Sequence, residues 1–190
     1  METAGHITLL LDQWRAGDPE AFDKLVPAVY GHLRDIARGY LARERAGHTL
    51  QATALVHELF IRLEQSREVS YHDRNHFFTF AAKVMRRILV DYARRGEAQK
   101  RGQTPDRVPL SDELAWVDVR SPQMLELDAA LDELAAVDEL KVKMIELRFF
   151  LGATAEETAG MLDVSKATVD RGVRFAITWL HRRLTQNAGE

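Results

Sequence analysis

Four groupings in this sequence have residue types and spacings that could do chemistry. His57 and Glu58 in "HELFIRLEQ" open like the helix of a zinc protease, in which two histidines four residues apart hold the metal and the glutamate acts as base. The second position is Ile61, so no metal can be held there and the reading is rejected. His72 and His76 stand one helical turn apart, but the pattern supplies no carboxylate–histidine cluster around them, and a surface or capping role is expected. There is no cysteine, which removes disulfides and thiolate metal sites. With no glycine-rich phosphate loop and no nucleophile–base pair, the sequence offers no catalytic residue and calls for no metal or cofactor.

The other two groupings suit nucleic acid. Residues 75–101, "NHFFTFAAKVMRRILVDYARRGEAQKR", mix cations with Phe77, Phe78, Phe80 and Tyr92. Cations serve phosphates and aromatic faces stack on unpaired bases, so the mixture fits single-stranded DNA. Part of it must be core, since Phe80, Val84, Ile88 and Tyr92 recur every four residues on one helical stripe. Residues 154–184 read as two short helices joined by a three-residue turn. Val169, Val173, Ile177, Leu180 and Leu184 line one face of the second helix, leaving Lys166, Asp170, Arg171 and Arg174 on others. Asp163 falls where such a turn needs a left-handed residue, and Ser165 caps the second helix, whose first turn would enter a major groove. The plain alternative is a helical hairpin with a solvated charged face.

These groups must be held by helices. Apolar residues recur at helical spacing nearly throughout and no segment alternates with period two, so the chain is expected to be all-α. The periodicity predicts helices near 6–16, 19–45, 52–66, 75–96, 123–136, 139–151, 155–162 and 166–185. Asp18-Pro19 and Ser121-Pro122 each put a capping side chain before a proline at the first helical position. Thr154 and Glu157 form a capping box. Residues 101–122 hold three prolines and no helical stripe, which predicts a linker between two small helical domains, 1–100 and 123–190. Trp116 and Val117 in this linker are expected to pack on a domain or a partner.

The net charge of −3 conceals a sorting along the chain. Residues 83–109 hold 8 Lys/Arg against 3 Asp/Glu, and residues 110–140 hold 1 against 9. Segregation, more than total charge, therefore sets the partners. No apolar run is long enough to span a membrane, and the N-terminus lacks the form of a signal peptide, so a cytoplasmic protein is expected.

In this order, "TALVHELFIRL", "FFTFAAKVMRRILVDYARR", a linker and "LDELAAVDELKVKMIELRFFLGATAEETAGMLDVSKATV" resemble the extracytoplasmic-function (ECF) sigma factors over about residues 8 to 185. The resemblance implies two helical domains that bind core RNA polymerase and promoter DNA. The first would recognise and melt the minus-ten element, and the second, a helix-turn-helix domain, would read the minus-thirty-five element. It assigns polymerase contact to the helix carrying Gln51, Leu55, Val56, His57, Glu58 and Arg62. First-domain DNA contact falls to Lys83, Arg86, Arg87 and Arg94, with the segment from Tyr71 through Asn75, Phe77 and Phe78 capturing a flipped base. Second-domain DNA contact falls to Ser165, Lys166, Thr168, Arg171 and Arg174. Asp170, where relatives often carry a base, and Gly172, which weakens a helix by ~1 kcal/mol relative to Ala, are departures. An overall acidic chain is compatible with this role, because polymerase supplies most of the surface that neutralises phosphate.

The resemblance also implies several carboxylates before and within the "LVxE" stretch, where this chain has Gln51, Thr53 and Ala54 before Glu58. Phosphorylation of Thr53 would add about −1.5 to −2 charges near a helix N-terminus, where an anion is favoured. The local alternative is that Thr53 is only a helix N-cap, and Thr49 is the nearest other acceptor. A Ser/Thr kinase or an anti-sigma factor is thus an expected partner, and the free protein is expected to be monomeric. Two rivals stand beside this reading: a helix-turn-helix regulator acting without polymerase, which would bind duplex tightly as a dimer, and a helical adaptor with no DNA function.

Overall fold

The structure, a computed structural model, describes residues 4–41, 52–65, 73–99 and 122–187. Among these residues the chain is entirely helical between short turns. In order come α1 (Ala4–Arg15), α2 (Pro19–Leu41), α3 (Ala52–Gln65), α4 (Arg74–Gln99), α5 (Pro122–Val137), α6 (Glu139–Ile145), a π-helical segment (Glu146–Phe150), α7 (Ala155–Leu162) and α8 (Lys166–Asn187). By its internal contacts the chain divides into two compact units, Met1–Met85 and Arg86–Glu190. The division falls inside α4. The segment 101–122, with Trp116 and Val117, lies outside the described residues.

In the first unit, α1 packs on α2 and α2 on α3. The Asp18 carboxylate accepts a hydrogen bond from the Glu20 N–H at 2.9 Å, so the chain turns into α2 through a side-chain cap with proline at the first helical position. Leu10, Leu11, Trp14, Leu25, Val29 and Leu33 on α1 and α2, and Leu55, Val56, Leu59 and Leu63 on α3, are all buried. Aromatic rings add directed contacts: Trp14 lies 4.8 Å from Phe22, and Phe22 meets Phe60 edge-on at 6.1 Å.

In the second unit, α8 packs against α5, α6 and α7. Asp138 caps α6 by accepting from the Lys141 N–H at 3.1 Å. Met144, Ala159 and Val169 form a core cluster, with Ala155, Leu162, Val164 and Val173 packed around it. The buried Met144 and Val169 side chains each contribute about 1.5–3 kcal/mol by leaving water. An exposed bidentate pair, Arg183 to Glu133 at 2.5 and 2.9 Å, ties α8 to α5.

The sequence predicts one helix over 139–151, whereas the structure changes it to a π segment at Glu146. The wider turn buries Glu146, Leu147 and Phe150 together. The chain then leaves the segment through bonds from the Leu151 N–H to the Glu146 carbonyl at 3.0 Å and from the Ala153 N–H to the Leu147 carbonyl at 2.9 Å. Such segments are rare, occurring mostly as single turns inside α-helices.

Candidate nucleic-acid interface

The α7–α8 pair is built by three local devices. At the start of α7 the Thr154 hydroxyl accepts from the Glu157 N–H at 3.1 Å, while the Glu157 carboxylate accepts from the Thr154 N–H at 2.8 Å, completing the capping box. At its end Asp163 adopts φ 52°, ψ 47°, the left-handed conformation that reverses the chain. At the start of α8 the Ser165 hydroxyl accepts from the Thr168 N–H at 3.1 Å and lies 2.8 Å from the Thr168 hydroxyl. Ser165 and Thr168 therefore serve the cap.

Val169, Ala176, Leu180 and Leu184 anchor α8 in the core, with Val173 and Ile177 half-buried beside them. Ala176, absent from the sequence-derived stripe, is fully buried because it occupies the same face one turn before Leu180. Gly172 is buried where α8 approaches α6, a Cβ there falling 2.4 Å from the Met144 sulfur. The outward face carries Lys166, Asp170, Arg171 and Arg174, all exposed. An open depression of about 440 Å³ is lined by Arg148, Asp170, Val173, Arg174, Ile177 and Thr178. Arg148 thus joins this face from the π segment, donating to the Ala153 carbonyl. Sequence reasoning missed it, because nothing in "ELRFF" marks which way the arginine turns.

Lys166 is not simply free. Its ammonium lies 2.5 Å from Glu156 on α7, and that hydrogen bond holds Lys166 above its ordinary pKa and Glu156 below its own. Both side chains are exposed, so solvent screening keeps the pair weak and open to exchange.

On α4 the structure separates residues that the sequence groups together. Lys83, Arg87 and Arg94 are exposed, at spacings that place them on one helix face. Arg94 lies near Asp91 at 3.8 Å and Asp128 at 3.9 Å. Arg86 is not on that face. It is 6% exposed and enclosed by Asp128, Asp132 and Glu146, which corrects its assignment to a DNA-facing surface. Burial disfavours its charge, but the Asp128, Asp132 and Glu146 carboxylates outweigh burial and hold the guanidinium above its ordinary pKa.

Phe77 and Phe78 require a second correction. They are helical, in the first turns of α4, and buried, with their rings edge-on at 5.4 Å. The Arg74 guanidinium lies 5.1 Å from the Phe78 centroid. Here these aromatics serve the core rather than a base. Asn75 is half-buried and its carbonyl accepts from the Thr79 hydroxyl at 2.8 Å, while Tyr71 lies outside the described residues. His76 has its N–H capped by Asp73 at 2.7 Å; His72 lies outside the described residues. Among the described residues no group of histidines and carboxylates could hold a metal.

On α3, Leu55 and Val56 are core residues, so Leu55 is corrected from a surface contact to a packing position. His57 is exposed, and Glu58 accepts from Arg62 at 2.9 Å one turn on. Ile61, four residues after His57, is 49% exposed and extends the same outward face. In the sequence Ile61 counts only as the residue that excludes a second metal-binding histidine, and nothing marks it as exposed. Thr53 is the second residue of α3 rather than the residue before it, so the helix starts ahead of it; Gln51 lies outside the described residues.

The α7–α8 pair is thus a capped pair of helices with three exposed cations, Lys166, Arg171 and Arg174, on the outward face of the second. The sequence model of the ECF sigma factor family matches residues 4–186, and the chain belongs to that family, whose role is in transcription initiation and its regulation. No curated protein and no solved structure matches the chain. No helix among the described residues is long and apolar enough to cross a membrane.

Proposed function

We propose that this chain binds core RNA polymerase through the outward face of α3 and directs it to a two-part promoter. His57, Glu58, Ile61 and Arg62 make the polymerase contact. Lys83, Arg87 and Arg94 on α4 meet the minus-ten region, and Lys166, Arg171 and Arg174 on α8, with Arg148 beside them, meet the minus-thirty-five element. The sequence expects domains over 1–100 and 123–190 with a linker over 101–122, whereas by contacts the part of α4 from Arg86 onward belongs with the second unit.

The observation that carries this reading is the outward row of α8, where three cations stand exposed directly behind a well-capped turn. The position of Thr53 in the first turn of α3 supports the second part of the proposal: phosphorylation there places an anion at a helix N-terminus and restores charge to a polymerase contact poor in carboxylates. A Ser/Thr kinase then acts as regulator in place of an anti-sigma factor.

Promoter-dependent run-off transcription with core polymerase tests the assignment. Alanine at Lys166, Arg171 and Arg174 together should abolish the specific transcript, with a base contact accounting for ~1–3 kcal/mol of discrimination at its position. Unchanged transcription would show that α8 is a solvated hairpin face.

A further inference from the structure

Arg86 is a buried cation with four hydrogen bonds, and its partners are far away in sequence. Its Nε donates to Asp128 at 2.8 Å, one terminal nitrogen donates to Glu146 at 3.1 Å, and the other donates to Asp132 and to the Asp128 carbonyl, both at 2.7 Å. Asp128 and Asp132 stand one turn apart on α5, and Glu146 opens the π segment, so three carboxylates from two elements converge on one guanidinium. Arg94, two turns further along α4, adds a weaker approach to Asp128. All of these residues belong to the unit Arg86–Glu190.

Two features distinguish this cluster from ordinary core packing. A buried guanidinium held by carboxylates is a poor source of stability compared with apolar packing, because desolvation offsets most of the attraction; its better-attested use is to specify one arrangement over another. The cluster is also open on one side: Asp132 is 74% exposed while Glu146 is 6% exposed. A competing anion can therefore approach from the solvent edge. Carboxylate and phosphate each offer a pair of anionic oxygens that an arginine fork can bind in bidentate fashion, so a phosphate backbone can take the place of these acids.

We propose that Asp128, Asp132 and Glu146 form a latch that withholds Arg86 from promoter DNA, holding the second half of α4 against α5 and the π segment until DNA phosphate displaces the carboxylates. This rests on the reading of α4 as a promoter-facing helix. The acids act as an internal substitute for the DNA backbone, and the energy of breaking the latch is a cost that a weak promoter cannot meet.

The test uses the full-length protein with Asp132→Asn, Asp128→Asn and the two combined, each checked for an unchanged helical signal. In the free protein, hydrogen exchange at residues 86–95 should quicken about fivefold or more in the double variant, the scale of a coupling between two states, while exchange in α8 stays as in the wild type. With core polymerase, the double variant should form open complexes several-fold faster than wild type, and adding Arg86→Ala should remove that gain.

An active wild type whose double variant shows unchanged exchange, or forms open complexes no faster, overturns the latch and leaves Arg86 as a packing residue. A wild type that gives no promoter-dependent transcript with core overturns the reading of α4 itself, and the latch with it. Asp132→Asn alone touches only the exposed edge of the cluster, so it keeps the test decisive if the double variant folds poorly.

Discussion

Replacing Gly172 with alanine sets two opposing effects against each other. In an exposed helix the change would stabilise by ~1 kcal/mol, because glycine sacrifices more backbone freedom on folding. Here the added Cβ would lie 2.4 Å from the Met144 sulfur, far closer than non-bonded atoms pack, while its 3.4 Å from the methyl carbon is close to ordinary contact. Met144 is flexible, but it is buried in the cluster with Ala159 and Val169 and has no solvent to move into. Forcing it aside should cost ~1–3 kcal/mol, as overpacking does elsewhere. The net expectation is a loss of about 0–2 kcal/mol, or a few degrees in melting temperature for a domain of this size.

The assay is denaturant unfolding followed by far-UV circular dichroism, arranged as a cycle with Met144→Ala. That change alone should destabilise by ~2–5 kcal/mol through the cavity it leaves. In its background the clash is gone, so Gly172→Ala should become stabilising, with a coupling of at least ~1 kcal/mol between the two sites. A stabilising effect in the wild-type background together with additive behaviour would refute the argument that α8 approaches α6 through this glycine. The same approach sets where the outward row Lys166 to Arg174 stands, so the single variant should also weaken promoter use.

Asp163 holds a left-handed backbone at φ 52°, so Asp163→Gly should be near neutral while Asp163→Ala should lose ~1 kcal/mol or more in thermal unfolding. Acid should loosen the second unit. Glu133 is held below its ordinary value of 4.5 chiefly by its hydrogen bond from Arg183, and Glu156 likewise by Lys166. Depressed carboxylates contribute stability that is present above the unfolded value and lost as pH falls through the folded one. Melting temperature should therefore decline as pH drops below about 4.5, and Glu133→Gln with Glu156→Gln should flatten that decline.

The helices were legible in the sequence largely because their ends are written in local chemistry. Asp18-Pro19, the Thr154 and Glu157 pair, Asp163 and Ser165 each act within three residues of themselves, and each forms the cap or turn that its type predicts. What escaped depends on distance. Arg86 looked like its neighbour Arg87, and only acids 42 to 60 residues away decide that one is buried and the other exposed. Phe77 and Phe78 carry the same aromatic chemistry whether they stack on bases or fill a core, and the sequence cannot say which surface they meet. The π segment has no composition of its own. It follows from burying Glu146, Leu147 and Phe150 together, a tertiary demand invisible in "ELRFF".

The central claim is that this chain joins core RNA polymerase and selects where it starts. Its most direct measurement incubates full-length protein with core polymerase, quantifies the complex, and maps transcripts made on fragmented genomic DNA from the same source, comparing Thr53→Glu with Thr53→Ala. The account predicts a complex with core, transcripts from discrete start sites that share an upstream element, and tighter core binding by Thr53→Glu. A protein that forms no complex with core in either form, yet binds duplex tightly alone, would contradict it.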